Sequence, residues 1–263
     1  MRLDHVVIAV ADLGAAMADY RALGFTVVPG GSHPGRTSHN ALVVFADGSY
    51  LELIAWKSYN PAERWCVEHG KHGEGLMDFA LLPDDVATVI AEAKSRGLSL
   101  DGPVDGGRAR PDGVEVKWRT GRQKTFDLPF LCGDVTPRSL RVPEGEVRTH
   151  PNGVSGIAGV TVAVADLDAS MSRYQALLGE TAVSELGCIV ASAGLRVAEA
   201  RLEGAAIRLA MPEGDADSAL GGDVRARLAT RGEGPVAIAL RAGPGPAPRL
   251  DPGLTHRVPV SFG

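Results

Sequence analysis

Short apolar runs and helical stripes follow one another along this chain in a fixed order, and the order recurs. Val6, Val7, Ile8 and Val10 form a β-branched run that reads as a buried strand. Asp12 follows where a helix N-cap belongs, and its carboxylate can accept the first free backbone N–H groups. Leu13, Met17, Tyr20 and Leu23 recur at helical spacing as one apolar stripe, and Gly24 closes it. Phe25 to Val28 can start a second strand. His39 to Phe45 alternates and is rich in β-formers, Ala46-Asp47-Gly48-Ser49 is a hairpin turn, and Tyr50 to Ala55 is the returning strand. The pattern predicts a strand, a helix and three strands.

The same text appears again further on. IAVADLGAAMADYRAL (8–23) is matched by VAVADLDASMSRYQAL (162–177), with Asp12 on Asp166, Met17 on Met171, Tyr20 on Tyr174 and Leu23 on Leu177. A weaker copy lies between them, LMDFALLPDDVATVIAEAKSRGL (76–98), with strand signals at Val114 to Trp118 and Thr125 to Leu131. A fragmentary fourth copy takes the helix signal Asp223 to Thr230 with strands at Pro235 to Arg241 and Arg257 to Phe262. Residues 133–156 carry prolines, glycines and charges and read as a connection. The expected layout is an N-terminal domain over 1–135, built of modules at 1–60 and 75–132, a linker over 136–156, and a degenerate C-terminal domain over 157–263.

Composition narrows the function classes. A chain of 263 residues that is 44% hydrophobic can bury a large core, and its net charge of -5 gives no reason to expect a nucleic-acid partner. No apolar run is long enough to span a bilayer. Cys66, Cys132 and Cys188 are odd in number and far apart, which suggests neither a disulfide framework nor a zinc knuckle. A cytoplasmic protein, monomer or homodimer, is expected. GGSHPG lacks the lysine of a phosphate loop, and no GxSxG elbow is present.

Candidate chemistry concentrates in the first copy. Glu52 lies between Leu51 and Leu53 and alternates to the face opposite them; if that face is interior, the charge needs a partner. His33, His39 and Asn40 sit in a polar stretch before a strand and can supply a ligand, a general base or hydrogen bonds, or serve only as turn residues. Trp56, Trp118 and Phe130 are candidates to line a pocket. His69, His72 and Glu74 fall in a glycine-rich connection that makes a poor preorganised site. Arg119, Arg122 and Lys124 are a solvated face or an anion-steering rim.

A strand–helix–three-strand unit used in pairs, together with LDHVVIAVADL (3–13), GGSHPGRTSHNALVVF (30–45) and DGSYLELIAW (47–56), resembles the glyoxalase-like domain proteins of the vicinal oxygen chelate superfamily. That resemblance implies an α+β fold in which βαβββ modules form a half-open eight-stranded barrel with the site in its cup. It also implies metal ligands from first and last strands, which puts His5 and Glu52 at ligand positions for one divalent ion (Zn, Fe, Mn or Ni). His39 or Asp78 would complete the shell or move a proton, with His33, Asn40, Trp56 and Phe130 against the substrate. The later modules depart from the pattern. Asp78 stands where the first has His5, no acid matches Glu52 in the last strand of the second module, and Gly159 and Arg208 occupy both positions in the third. The expectation is a small-molecule site in the N-terminal half, serving a metal-dependent lyase, isomerase or dioxygenase, or alternatively a non-catalytic binding protein.

Overall fold

A computed structural model describes residues 1–186, 194–214, 218–243 and 245–263. The first half runs β1 (Arg2–Ala9), α1 (Leu13–Ala22), β2 (Val28–Ser32), β3 (Ser38–Val44), β4 (Tyr50–Trp56), α2 (Arg64–His72), β5 (Gly75–Leu82), α3 (Val86–Ser95), β6 (Asp101–Ala109), β7 (Glu115–Arg122) and β8 (Phe130–Asp134). After a short helix α4 (Arg138–Arg141), the second half runs β9 (Val154–Ala163), α5 (Leu167–Leu178), β10 (Val183–Glu185), β11 (Leu195–Arg201), β12 (Ala206–Pro212), α6 (Ala219–Thr230), β13 (Gly234–Ala242) and β14 (Val260–Phe262).

The first eight strands close into a barrel in the order β1-β4-β3-β2-β6-β7-β8-β5. Its β2–β6 seam is one residue pair, Ser32 with Ala109. The other strands make an open six-stranded sheet, β10-β11-β12-β9-β13-β14. Each repeat helix starts as its sequence requires. Asp12, Asp85 and Asp166 accept from the backbone N–H three residues on, at 2.8, 2.7 and 2.9 Å. Gly24 ends α1 at φ +85°, a conformation that favours a residue without a Cβ.

One continuous apolar core joins the halves. It holds Val6, Ile8, Leu51 and Leu53 from the barrel's outer face and Val160, Val162, Ile207 and Leu209 from the open sheet. The repeated tyrosines cross this junction. Tyr174 Oη donates to the Asp127 carbonyl at 2.7 Å, and Tyr20 Oη lies 3.5 Å from the Thr255 carbonyl.

Four sequence expectations change. The second strand begins at Val28, not Phe25, because Phe25 and Val27 are spent in the core beside Tyr20. Of Thr125 to Leu131, only Phe130 and Leu131 are strand. Before them Phe126 stacks under Arg64, and Asp127 turns to Arg173 and Ser170 of α5. The glycine-rich EHGKHGEG segment is mostly helix, since α2 runs through His72. Finally, α6 is the counterpart of α2, not of a module helix. β13 pairs antiparallel with β9 as β5 does with β1, and β14 pairs parallel with β13 as β8 does with β5. The fourth copy therefore lacks a helix matching α3 among the described residues. Cys188 lies outside the described residues, and no described helix is long and apolar enough to cross a membrane.

Candidate functional site

The barrel encloses a cavity of about 360 Å³. Strand alternation decides which side chains face it. On β4, Tyr50, Glu52, Ile54 and Trp56 line the cavity while Leu51, Leu53 and Ala55 join the outer core. On β3, Ser38, Asn40 and Leu42 point in, and Ala41 and Val43 point out. His5 enters from β1, where a register shift between Leu3 and His5 marks an irregularity at Asp4. Such a bulge re-aims side chains, and here it lets two neighbouring residues meet: His5 Nδ1 lies 2.8 Å from Asp4 Oδ2.

Asp4 is fully buried, yet ionised. Burial alone raises its pKa, but Arg141 at 2.7 Å, the His5 contact and Arg138 at 2.7 Å hold it well below the usual carboxylate range. An ionised carboxylate only accepts, so His5 Nδ1 carries the hydrogen and Nε2 is the nitrogen turned to the cavity. That nitrogen faces Glu52 Oε2 at 3.5 Å. The ring is fixed further by Tyr50, stacked at 4.6 Å, and by the edge of Phe130 at 5.4 Å. Glu52 Oε1 accepts from Asn40 Nδ2 at 2.5 Å, and His33 Nε2 is 3.9 Å from the same oxygen. Burial pushes His33 below the usual histidine range, so it is neutral at neutral pH.

The structure thus brings His5, Glu52, His33, Asn40, Trp56 and Phe130 to one cavity, with Trp118 opposite. Two candidates lie outside that lining. His39 has the same parity as Ala41 and Val43, so alternation turns it away from the cavity, and its Nδ1 is buried without a hydrogen-bond partner among the described residues. Asp78 is buried beyond the lining, where Trp65 Nε1 donates to it at 3.0 Å and the Phe79 N–H at 2.9 Å. Burial raises its pKa, against the pull of Arg122. His69, His72 and Glu74 do not converge: His69 stacks on Trp56, His72 faces Glu68, and Glu74 accepts from Ala11 N–H. Of the basic run, Arg122 lines the cavity and Arg119 pairs with Asp105 in solvent.

Sequence reasoning missed Asp4, Arg108, Arg138 and Arg141. Asp4 had a signal, an acid beside a histidine in an apolar strand. Arg138 and Arg141 had none, because they lie in the segment that reads as a linker. Cys132 also lines the cavity, but burial pushes its thiol up to about 12, so it is not a nucleophile at neutral pH.

A divalent ion takes neutral imidazole nitrogens and carboxylate oxygens. His5, His33 and Glu52 are that donor chemistry, and His5 and Glu52 already face each other. They do not form the full set: Ala80 pairs with Phe130 where Val7 pairs with Glu52, so an aromatic ring occupies the fourth-strand position of the second module. Among the described residues, no group of three or more His, Cys, Asp or Glu side chains stands close enough to hold an ion as arranged.

The glyoxalase-like domain family model matches residues 3–178, well over half of the sequence. The chain belongs to that family and has the vicinal oxygen chelate fold. No curated protein matches it. Among solved structures, a hypothetical protein from Staphylococcus aureus is similar over 100% of this chain and 98% of its own, at 13% identity and a TM-score of 0.71. A mutant of 4-hydroxymandelate synthase from Streptomyces coelicolor is similar over 92% of this chain and 71% of its own, at 16% identity and a TM-score of 0.60. A xylose isomerase-like TIM barrel/4-hydroxyphenylpyruvate dioxygenase fusion protein is similar over 92% of this chain and 36% of its own, at 17% identity and a TM-score of 0.55. At such identities the likeness is one of fold.

Proposed function

We propose that the N-terminal barrel is the active site of a small-molecule enzyme of the lyase or isomerase type, in which His5 and Glu52 move a proton on an oxygen-bearing substrate. One observation carries this reading: the 3.5 Å approach of His5 Nε2 to Glu52 Oε2 while Nδ1 is committed to an ionised Asp4. A proton or a cation placed between Nε2 and Oε2 would join the two groups. A shared proton makes the pair a ready acid–base couple. Asp4 sets the tautomer of His5, and Asn40 holds the other oxygen of Glu52 in place. Tyr50 and Phe130 exclude water from the ring, and Trp56, oriented by its bond to Glu63 at 3.1 Å, adds to the wall.

The same gap favours a second reading. His5 and Glu52, with His33 beside them, would hold a divalent ion such as Zn, Fe, Mn or Ni, which when bound supplies Lewis-acid polarisation of a substrate oxygen. Dioxygenase chemistry belongs only to that reading. A cytoplasmic setting is part of the proposal, supported by Cys66 and Cys132, which are buried and free and suit a reducing compartment.

Hydrogen exchange in D₂O tests the proposal. A panel of 2-oxo and 2-hydroxy acids is incubated with the protein as purified and after metal reconstitution, and the C–H next to the carbonyl or carbinol is followed by NMR. Exchange by the wild type that disappears in Glu52→Gln is the expected result. Saturable ligand stabilisation with no exchange in either form sinks the catalytic reading and leaves a binding protein. Elemental analysis of wild type against His5→Ala and Glu52→Ala separates proton from ion: metal held by the wild type alone establishes the second reading.

A further inference from the structure

The cavity contains a positive charge that the couple at His5 and Glu52 does not use. Arg108 on β6 lines it and is 3% exposed. Its Nη2 donates to the Arg141 carbonyl at 2.6 Å, but its Nη1 has no hydrogen-bond partner among the described residues. The carboxylates around it are already engaged. Asp4 is held by Arg138 and Arg141, Glu52 by Asn40, and Glu63 by Thr37, Asn60 and Trp56. Glu52 attracts it without forming a salt bridge among the described residues, and a buried guanidinium so placed favours a negative charge supplied at Nη1. No side chain from β2 covers it, because Gly30 stands there; a Cβ on Gly30 would lie 2.7 Å from Arg108 Nη1 and would also press on Asn40 Oδ1. That Asn40 oxygen is itself buried and without a partner among the described residues. The opposite character of the cavity is aromatic: all three tryptophans of the chain, Trp56, Trp65 and Trp118, line it.

We infer that Arg108 anchors the carboxylate of the substrate, and that the substrate class is a small monocarboxylate with a flat apolar body. A guanidinium fork matches a carboxylate in shape and charge. The tryptophans, with Phe130, take the apolar remainder, so the anion end lies at Arg108 on β6 and the body against those four rings. This inference rests on the cavity being the ligand site, but not on the proton chemistry proposed at His5 and Glu52.

Because every tryptophan lines the cavity, intrinsic fluorescence of the full chain reports its occupancy. The probes are phenylacetate, 3-phenylpropionate and cyclohexanecarboxylate, each titrated to millimolar concentration against its neutral amide. At least one carboxylate should give a saturable change, and its amide should bind about tenfold more weakly or worse. Arg108→Gln should remove that preference, and Arg108→Lys should keep part of it. The amide comparison is made in the wild type, so it stands even if a variant unfolds. Equal binding of acid and amide, unchanged binding in a folded Arg108→Gln, or no saturable response to any carboxylate overturns the assignment. Carboxylate binding that needs Arg108 but yields no exchange in D₂O leaves this inference standing and defeats the catalytic reading. Exchange that survives Arg108→Gln with unchanged KM does the reverse.

Discussion

The barrel and the open sheet are laid on the same scaffold and equipped differently. β1 pairs parallel with β4, and β9 pairs parallel with β12, in the same register: His5 is opposite Tyr50 and Val7 opposite Glu52, while Gly159 is opposite Ala206 and Thr161 opposite Arg208. His5 and Glu52 therefore correspond to Gly159 and Arg208 in space as well as in sequence. Glu52 is buried among partners. Arg208 has a side chain 56% exposed and pairs with Glu199, at 3.4 Å. The buried acid at Asp4, which orders the histidine, falls on Ala158. What both halves keep is Tyr20 and Tyr174, whose hydroxyls each reach into the other half. The repeated tyrosines join the halves, the repeated aspartates cap their own helices, and the unrepeated His5 and Glu52 equip a single cavity.

Four experiments can break or sharpen that contrast. The largest effect is expected on chemistry. Glu52→Gln should lower turnover of any substrate found by the exchange assay by about 10²- to 10⁴-fold, with a change in unfolding free energy under about 1 kcal/mol. A variant that unfolds as readily as it loses activity would make Glu52 a scaffold residue.

Asp4→Ala comes next, because it removes one of the two carboxylates that hold the buried Arg141 and leaves only Asp134 against both Arg138 and Arg141. Urea unfolding should show a loss of about 3–5 kcal/mol. A loss below about 1 kcal/mol would mean that the barrel's buried charges matter no more than the open sheet's exposed ones. The same residue sets an acid limb. Its folded pKa is depressed, so its contribution is complete above the unfolded value near pH 4 and is lost as pH falls through the lower folded value. Asp4→Asn should flatten stability against pH in that window and leave it parallel to wild type at neutral pH.

The two tyrosines allow a smaller comparison. Tyr174→Phe removes a buried 2.7 Å bond and should cost about 1–2 kcal/mol, while Tyr20→Phe removes a contact of 3.5 Å and should cost under about 0.5 kcal/mol. Equal losses in thermal unfolding would mean that the two junctions are alike. Least of all, Arg208→Ala should alter stability by no more than about 0.5 kcal/mol, as expected for an exposed pair. A larger effect would give the open sheet a site of its own.

Much of the barrel was legible in the sequence because its signals are local. The Asp12 and Asp166 caps, the Tyr20 and Tyr174 stripes, the Gly24 stop and the inward parity of Glu52 follow from helical and strand periods that a few residues establish. His39 was the counterexample: its residue type suggested chemistry, and the parity that excludes it depends on the strand starting at Ser38. β2 begins later than its apolar residues suggest because Phe25 and Val27 are claimed by the core before the ladder starts.

By itself, the sequence determined the module order, the repeat, the framework residues and the asymmetry between His5 with Glu52 and Gly159 with Arg208. Only the tertiary structure decided which groups complete the cavity. Arg141 comes from a segment that reads as a linker and reaches Asp4 across 137 residues of chain, while Arg108 arrives on a strand whose exposed residues gave no period to read. Asp78 aligned with His5 yet lies outside the cavity lining, bonded to Trp65. Periodicity tells which face a side chain takes, because that depends on the backbone around it. Which charges meet across a barrel depends on strand pairing, bulges and the return of distant segments, and none of these leaves a local mark.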